Sequence, residues 1–89
     1  MTTHNPLNDI RKHIDDIDQQ LQSLLTERAK LALQVAAVKK QQNSAFYDPA
    51  REEAIIESII NRNQGPLSNE ALEKIFRNII AACLDIQKP

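Results

Sequence analysis

Between Leu7 and Val38 the chain carries apolar residues at a spacing of three and four: Leu7, Ile10, Ile14, Ile17, Leu21, Leu24, then Leu31, Val35 and Val38. On an α-helix that rhythm makes one continuous apolar stripe, and no proline or glycine interrupts it after Pro6. A helix over residues 6–41 would be roughly 54 Å long. A compact globule of this chain length has a radius of gyration of about 12 Å, hence a diameter of roughly 30 Å. The helix therefore overhangs its own domain by about 20 Å, and the stripe continues through the overhang. A second copy of the chain, related by a two-fold axis, is the simplest surface that would cover it. The 3-4 spacing suits a coiled-coil-like seam between two long helices. The expectation is an all-α fold assembled as an intertwined homodimer.

Three helices are expected. Asn5 and Pro6 open the first as N-cap and N1 residue, and Asp9 faces the positive end of its dipole. Fraying is expected between Gln41 and Ser44. The second helix, over about 48–63, begins where Asp48 caps and Pro49 takes N1, with Ile55, Ile56, Ile59 and Ile60 on its apolar face. Gly65 is expected at C′, and Pro66 prevents continuation. Ser68 caps the third helix, over about 68–87, with Leu67 and Leu72 placed as a hydrophobic staple. Its buried face is Leu72, Ile75, Phe76, Ile79, Ile80 and Cys83. A single glycine and 3% aromatic residues argue against a strand-rich fold. The 89 residues, with no repeat or linker, read as one domain, 1–89.

The inventory excludes several functions. A net charge of −1 provides no basic footprint for nucleic acid. A lone cysteine allows no intrachain disulfide and fits a reducing cytoplasm. The N-terminal MTTHNPLNDIRK has no apolar core of a signal peptide, and no apolar run approaches the ~20 residues of a membrane span. There is no glycine-rich phosphate loop and no Ser-His-Asp pattern. His4 and His13 stand without a third ligand for zinc. Any catalysis here has to work without metal, cofactor or nucleophile.

The stripe has one fault. The position that should fill the gap between Leu24 and Leu31 is Arg28. Two readings stand open. Arg28 can snorkel from the seam or pair with a carboxylate to set register. Alternatively it serves a ligand. Lys39 lies eleven residues further on, on nearly the same face and roughly 16 Å away, so the two cations could hold a small dianion between them. Arg11 is on another face, but in an antiparallel pair of long helices it would approach the far half of the partner. Gln87 extends the apolar face of the third helix, or belongs to a frayed terminus. Arg51 and Glu52 lie in the first turn of the second helix, where ordinary solvation and the helix dipole explain them.

Taken together, "LNDIRKHIDDIDQQLQSLLTERAKLALQVAAVKK", then "FYDPAREEAIIESI", then a third helix ending in Gln, resemble the all-helical AroQ-type chorismate mutases. The resemblance covers nearly the whole chain. It rests on the order and spacing of I-R-x-x-I-D-x-I-D, L-L-x-E-R, V-x-x-x-K and Y-D-P-x-R-E. It implies a Claisen rearrangement of chorismate to prephenate on an intertwined dimer, with no cofactor. It further implies that Arg28 and the partner's Arg11 bind the two substrate carboxylates. Lys39 and Gln87 would donate to the ether oxygen. Glu52 and the backbone N–H of Asp48 would hold the ring hydroxyl, Arg51 would support the carboxylate end, and Val35 with Ile55 or Ile56 would form apolar walls. Where bacterial relatives often carry serine, this chain has Cys83, whose thiol is a poorer donor. Fusion to, or partnership with, another shikimate-pathway enzyme is also implied.

Two other functions fit parts of the pattern. An isochorismate-pyruvate lyase would use a similar cationic pocket on the same scaffold, although Y-D-P-x-R-E favours the mutase. A non-catalytic helical dimerisation module would treat Arg28 as a register device, and leaves Arg11, Lys39, Glu52 and Gln87 as coincidence.

Overall fold

The computed structural model describes residues 4–88; the sequence readings that touch Met1, Thr2, Thr3 and Pro89 lie outside the described residues. Three helices follow in order: α1 (Pro6–Gln41), α2 (Pro49–Asn61) and α3 (Asn69–Asp85). Each begins at the residue that the capping chemistry picks out. The Asn5 side chain accepts the Leu7 N–H at 3.0 Å, Asp48 Oδ1 accepts the Arg51 N–H at 3.0 Å, and Ser68 Oγ accepts the Ala71 N–H at 3.1 Å. These bonds satisfy amide groups that the first turn of a helix otherwise leaves unpaired.

α1 ends at Gln41 as expected, whereas the form of its closure and the ends of α2 and α3 differ from expectation. α1 does not fray into its loop. Asn43 adopts φ 60°, its N–H bonds to the Lys40 carbonyl at 3.2 Å, and the Ser44 N–H bonds to the Lys39 carbonyl at 2.8 Å. This is a Schellman closure with asparagine in the left-handed position that glycine usually takes. α2 ends at Asn61, with Arg62 as a right-handed cap, so Gly65 (φ 70°) is not C′ but part of the connection that follows. Asn63 organises that connection. Its Oδ1 accepts the Gly65 N–H at 2.9 Å, and its Nδ2 donates to the Leu67 carbonyl at 2.9 Å and to Asn69 Oδ1 at 2.8 Å. Leu67 remains half exposed. α3 stops at Asp85, two residues short of the expected end, and Gln87 follows in a turn whose N–H reaches the Leu84 carbonyl at 3.1 Å.

α2 packs on α3, and α3 on the C-terminal part of α1, around a small core of Ala36, Ile56, Ile59, Ile80 and Cys83. The chain measures 66 × 25 × 16 Å with a radius of gyration of 17.6 Å, well above the ~12 Å of a compact chain of this length. The excess is α1. Its stripe residues Leu7, Ile10, Ile14, Ile17, Leu21, Leu24, Leu31, Val35 and Val38 are all exposed, with Leu24 at 59%. Fully burying one aliphatic side chain contributes about 1.5–3 kcal/mol, so covering the exposed halves of these side chains is worth on the order of 10 kcal/mol. That is comparable with the whole stability of a small domain, typically about 5–15 kcal/mol.

The α1 terminus makes a direct prediction. Asn43→Ala forces an alanine into the left-handed region and is expected to lower stability by about 1 kcal/mol. Asn43→Gly should be neutral or slightly stabilising. Urea unfolding at one fixed protein concentration separates the two.

Candidate active site

The three helices leave a cavity of about 280 Å³ between the C-terminal half of α1, the start of α2 and the end of α3. α1 supplies Arg28, Leu31, Ala32, Val35 and Lys39, which share one face at helical spacing. Arg28 therefore stands on the same stripe as its apolar neighbours, but at the point where the stripe turns from the bare overhang to this cavity. The Asp48 cap places Asp48, Arg51, Glu52 and Ile55 along a second side. α3 and its closing turn supply Ile80, Cys83, Leu84 and Gln87. Val35 and Ile55 form wall, whereas Ile56 is core, 3% exposed. Leu31 and Val35 keep about half of their surface exposed, at 58% and 48%, so the cavity is open on the α1 side.

The α1 closure also sets Lys39. The Schellman turn brings the chain back so that Lys39 Nζ donates to the Phe46 carbonyl at 3.0 Å. The ammonium is held at the cavity by a neutral acceptor and keeps donors for a ligand. Asp48 and Glu52, the two carboxylates of the wall, are already engaged. Asp48 accepts the Arg51 N–H, and Glu52 Oε1 accepts from Arg77 Nη1 at 3.0 Å. The Arg28 and Arg51 guanidiniums have no carboxylate partner among the described residues. The cavity thus presents cationic charge that its own carboxylates do not cancel, inside aliphatic walls that strengthen it. An anionic ligand with an apolar body fits that environment.

Gln87 gives the sharpest local signal. Its Oε1 is buried and has no hydrogen-bond partner. A buried unpaired amide oxygen is costly. Gln87 is among the residues that line the cavity, and a turned amide would place an N–H donor where the oxygen now lies. Cys83 is 7% exposed and sits between core and cavity, where its thiol packs as a small apolar group.

Seven of the eight residues singled out from the sequence line this one cavity: Arg28, Lys39, Asp48, Arg51, Glu52, Cys83 and Gln87. Arg11 does not. It is exposed on α1, seventeen residues before Arg28, or about 26 Å along the helix. Sequence reasoning missed the Phe46 carbonyl, because backbone acceptors leave no compositional trace. It also missed Arg77, whose hydrogen bonds to Glu73 and then Glu53 hold its guanidinium still further toward the charged form. The only local hint was Glu73 four residues before it on α3.

Among the described residues no group of His, Cys, Asp or Glu side chains could hold a metal ion, and no helix is long and apolar enough to cross a membrane. The family model for chorismate mutase type II matches residues 10–88. The bifunctional chorismate mutase/prephenate dehydratase of Stutzerimonas stutzeri is 36% identical over 94 aligned positions, covering 100% of this chain and 26% of that protein. The chain spans about a quarter of the length of the curated relatives it matches first. Among solved structures, form II of chorismate mutase from Thermus thermophilus superposes with a TM-score of 0.92 at 29% identity, covering 93% of this chain and 94% of that one. Chorismate mutase from Helicobacter pylori in complex with prephenate gives 0.83 at 31% identity, covering 91% and 88%.

The capping role of Asp48 can be separated from its place at the cavity. Asp48→Asn keeps the acceptor for the Arg51 N–H and is expected to change stability by only a few tenths of a kcal/mol, whereas Asp48→Ala should cost about 1 kcal/mol. Thermal unfolding of the two variants at equal concentration checks this.

Proposed function

The chain belongs to the chorismate mutase type II family, and on that premise we propose that it converts chorismate to prephenate as an intertwined homodimer. The observation that carries this reading is the convergence of Arg28, Lys39 and Gln87, far apart in sequence, on one open aliphatic cavity. In this rearrangement the ether C–O bond breaks while a C–C bond forms, and the electrons move round a closed ring. No proton, electron or group enters or leaves. The protein's task is to fold the enolpyruvyl arm over the ring and to stabilise charge on the ether oxygen as its bond breaks.

Clamping the two carboxylates does the first. Arg28 binds one by its planar fork, and the partner's Arg11 binds the other from the open side of the cavity, with Arg51 supporting the carboxylate end. A substrate held in this near-attack shape has already lost the freedom that slows the reaction in water. Lys39 and the amide of Gln87 do the second. Both donate to the ether oxygen, and both bonds strengthen as that oxygen gains charge, so they favour the transition state over the substrate. Glu52 and the Asp48 N–H hold the ring hydroxyl, while Val35, Ile55 and Cys83 shape the wall. No cofactor takes part.

The dimer completes the account. The exposed stripe of α1 supports a two-fold antiparallel pairing, which covers the overhang and carries Arg11 to the partner's cavity. Residues 1–89 act as a single catalytic domain. The lone free thiol of Cys83 suits the reducing cytoplasm. The partner activity we propose is a dehydratase that consumes prephenate, as in the bifunctional relatives.

The test is direct. Purified protein is mixed with chorismate, and substrate loss and product are followed together. Prephenate should form far above the uncatalysed rate, and Lys39→Ala should lower kcat by at least about a hundredfold with the dimer intact. Pyruvate release from isochorismate without prephenate formation would replace the mutase reading by a lyase. A stable folded monomer at low concentration would remove the dimer.

A further inference from the structure

Arg77 stands behind the cavity, not in its lining. Each nitrogen of its guanidinium bonds a different carboxylate: Nη1 with Glu52 Oε1 at 3.0 Å, Nη2 with Glu53 Oε1 at 3.0 Å, and Nε with Glu73 Oε2 at 2.9 Å. The three carboxylates are not equivalent. The Glu53 and Glu73 side chains are 67% and 40% exposed, whereas that of Glu52 is 20% exposed. Of the three, only Glu52 lines the cavity. The outer pair therefore fixes the plane of the guanidinium, and the guanidinium fixes Glu52. Glu52 is bound through Oε1 alone; its Oε2 makes no hydrogen bond among the described residues. A glutamate side chain free to turn would have to be ordered when a ligand binds, at an entropic cost that prior ordering removes.

We propose that Arg77 is a positioning residue: it holds Glu52 by one carboxylate oxygen so that the other faces the ring hydroxyl of a hydroxylated cyclic dicarboxylate. This rests on the reading of Glu52 as the hydroxyl's acceptor. The consequence is selectivity. A carboxylate fixed in place rewards a ligand that supplies the hydroxyl and is left unpaired by one that lacks it. Arg77 thereby sets how strongly the site prefers the hydroxylated ligand, without touching it.

The experiment uses Arg77→Met and Arg77→Lys in the intact dimer. Lysine keeps the charge but cannot span three carboxylates, so it gives the same test in a variant nearer to the native stability. Turnover is measured with chorismate and with its ring-deoxy analogue. Arg77→Met is expected to lower kcat/KM for chorismate about tenfold, chiefly through KM, and to change the value for the deoxy analogue less than about twofold. Arg77→Lys should fall between. In a Glu52→Ala background the same Arg77 substitutions should have no further effect, since residues acting through one another are not additive. Equal losses for both substrates, or full additivity with Glu52→Ala, would mean a general structural role and would overturn the proposal. A crystal structure of ligand-free Arg77→Met, which leaves no cation to hold Glu52, supplies a readout independent of turnover. Glu52 should leave its cavity position; if it stays, Arg77 does not hold it. Absence of mutase activity in the unaltered protein would strike the functional reading alone, and the position of Glu52 in that structure would still decide the role of Arg77.

Discussion

The length of α1 is the constraint on which everything else depends. A helix of 36 residues cannot be covered by two shorter ones of 13 and 17. Where α3 lies against α1, the face turned toward the other helices becomes cavity and core. Beyond that, the same face is bare. One continuous stripe therefore serves two purposes along its length, and Arg28 marks the boundary between them. A guanidinium at that point would be a poor choice for a dry seam, because an unpaired buried charge is strongly destabilising. At the mouth of a cavity open to an anion it carries a favourable field instead.

The chemistry suggested for the cavity follows from which groups already have partners there. Asp48 is engaged by the first turn of α2, and Glu52 by Arg77. Lys39 is tied only to a carbonyl. Beyond the free oxygen of Glu52 and the Gln87 amide, the groups left with unspent capacity are cations. That balance suits a reaction in which negative charge moves within one bound molecule and no proton is transferred. It also divides the residues into those that meet the ligand and those that orient them. The Schellman turn brings the Phe46 carbonyl to Lys39, and Arg77, bonded to Glu53 and Glu73, also bonds Glu52; on the proposed reading these contacts orient the two side chains.

Much of this was legible in the sequence, for identifiable reasons. α1 was readable to both ends because Asn5-Pro6 starts it and an unbroken stripe carries it to Gln41. Its closure was misread as fraying, since an asparagine at φ 60° gives a weaker signal than a glycine would. The one glycine drew the end of α2 too far along the chain, although Asn63 organises that connection. Arg28 and Lys39 were visible as cations sharing a helical face. Glu52, Cys83 and Gln87 became candidate site residues through the family resemblance, because the helix dipole, apolar packing and a frayed terminus explained them otherwise. Arg77 was invisible. It meets Glu52 across 25 residues of sequence and two helices, a pairing that no local pattern encodes.

The central claim is that each site is shared between two protomers, and subunit mixing tests it most directly. Arg11→Ala and Lys39→Ala dimers are each prepared, shown to be folded and nearly inactive, then unfolded together and refolded as a mixture. If the partner supplies Arg11, every mixed dimer contains one cavity with Arg28, Lys39 and Arg11 all intact and one lacking both altered groups. With random pairing, chorismate turnover should recover to about a quarter of that of the unaltered protein. If the mixture stays as inactive as its parents while mixed dimers demonstrably form, both residues belong to the same chain's site, and the shared cavity is wrong.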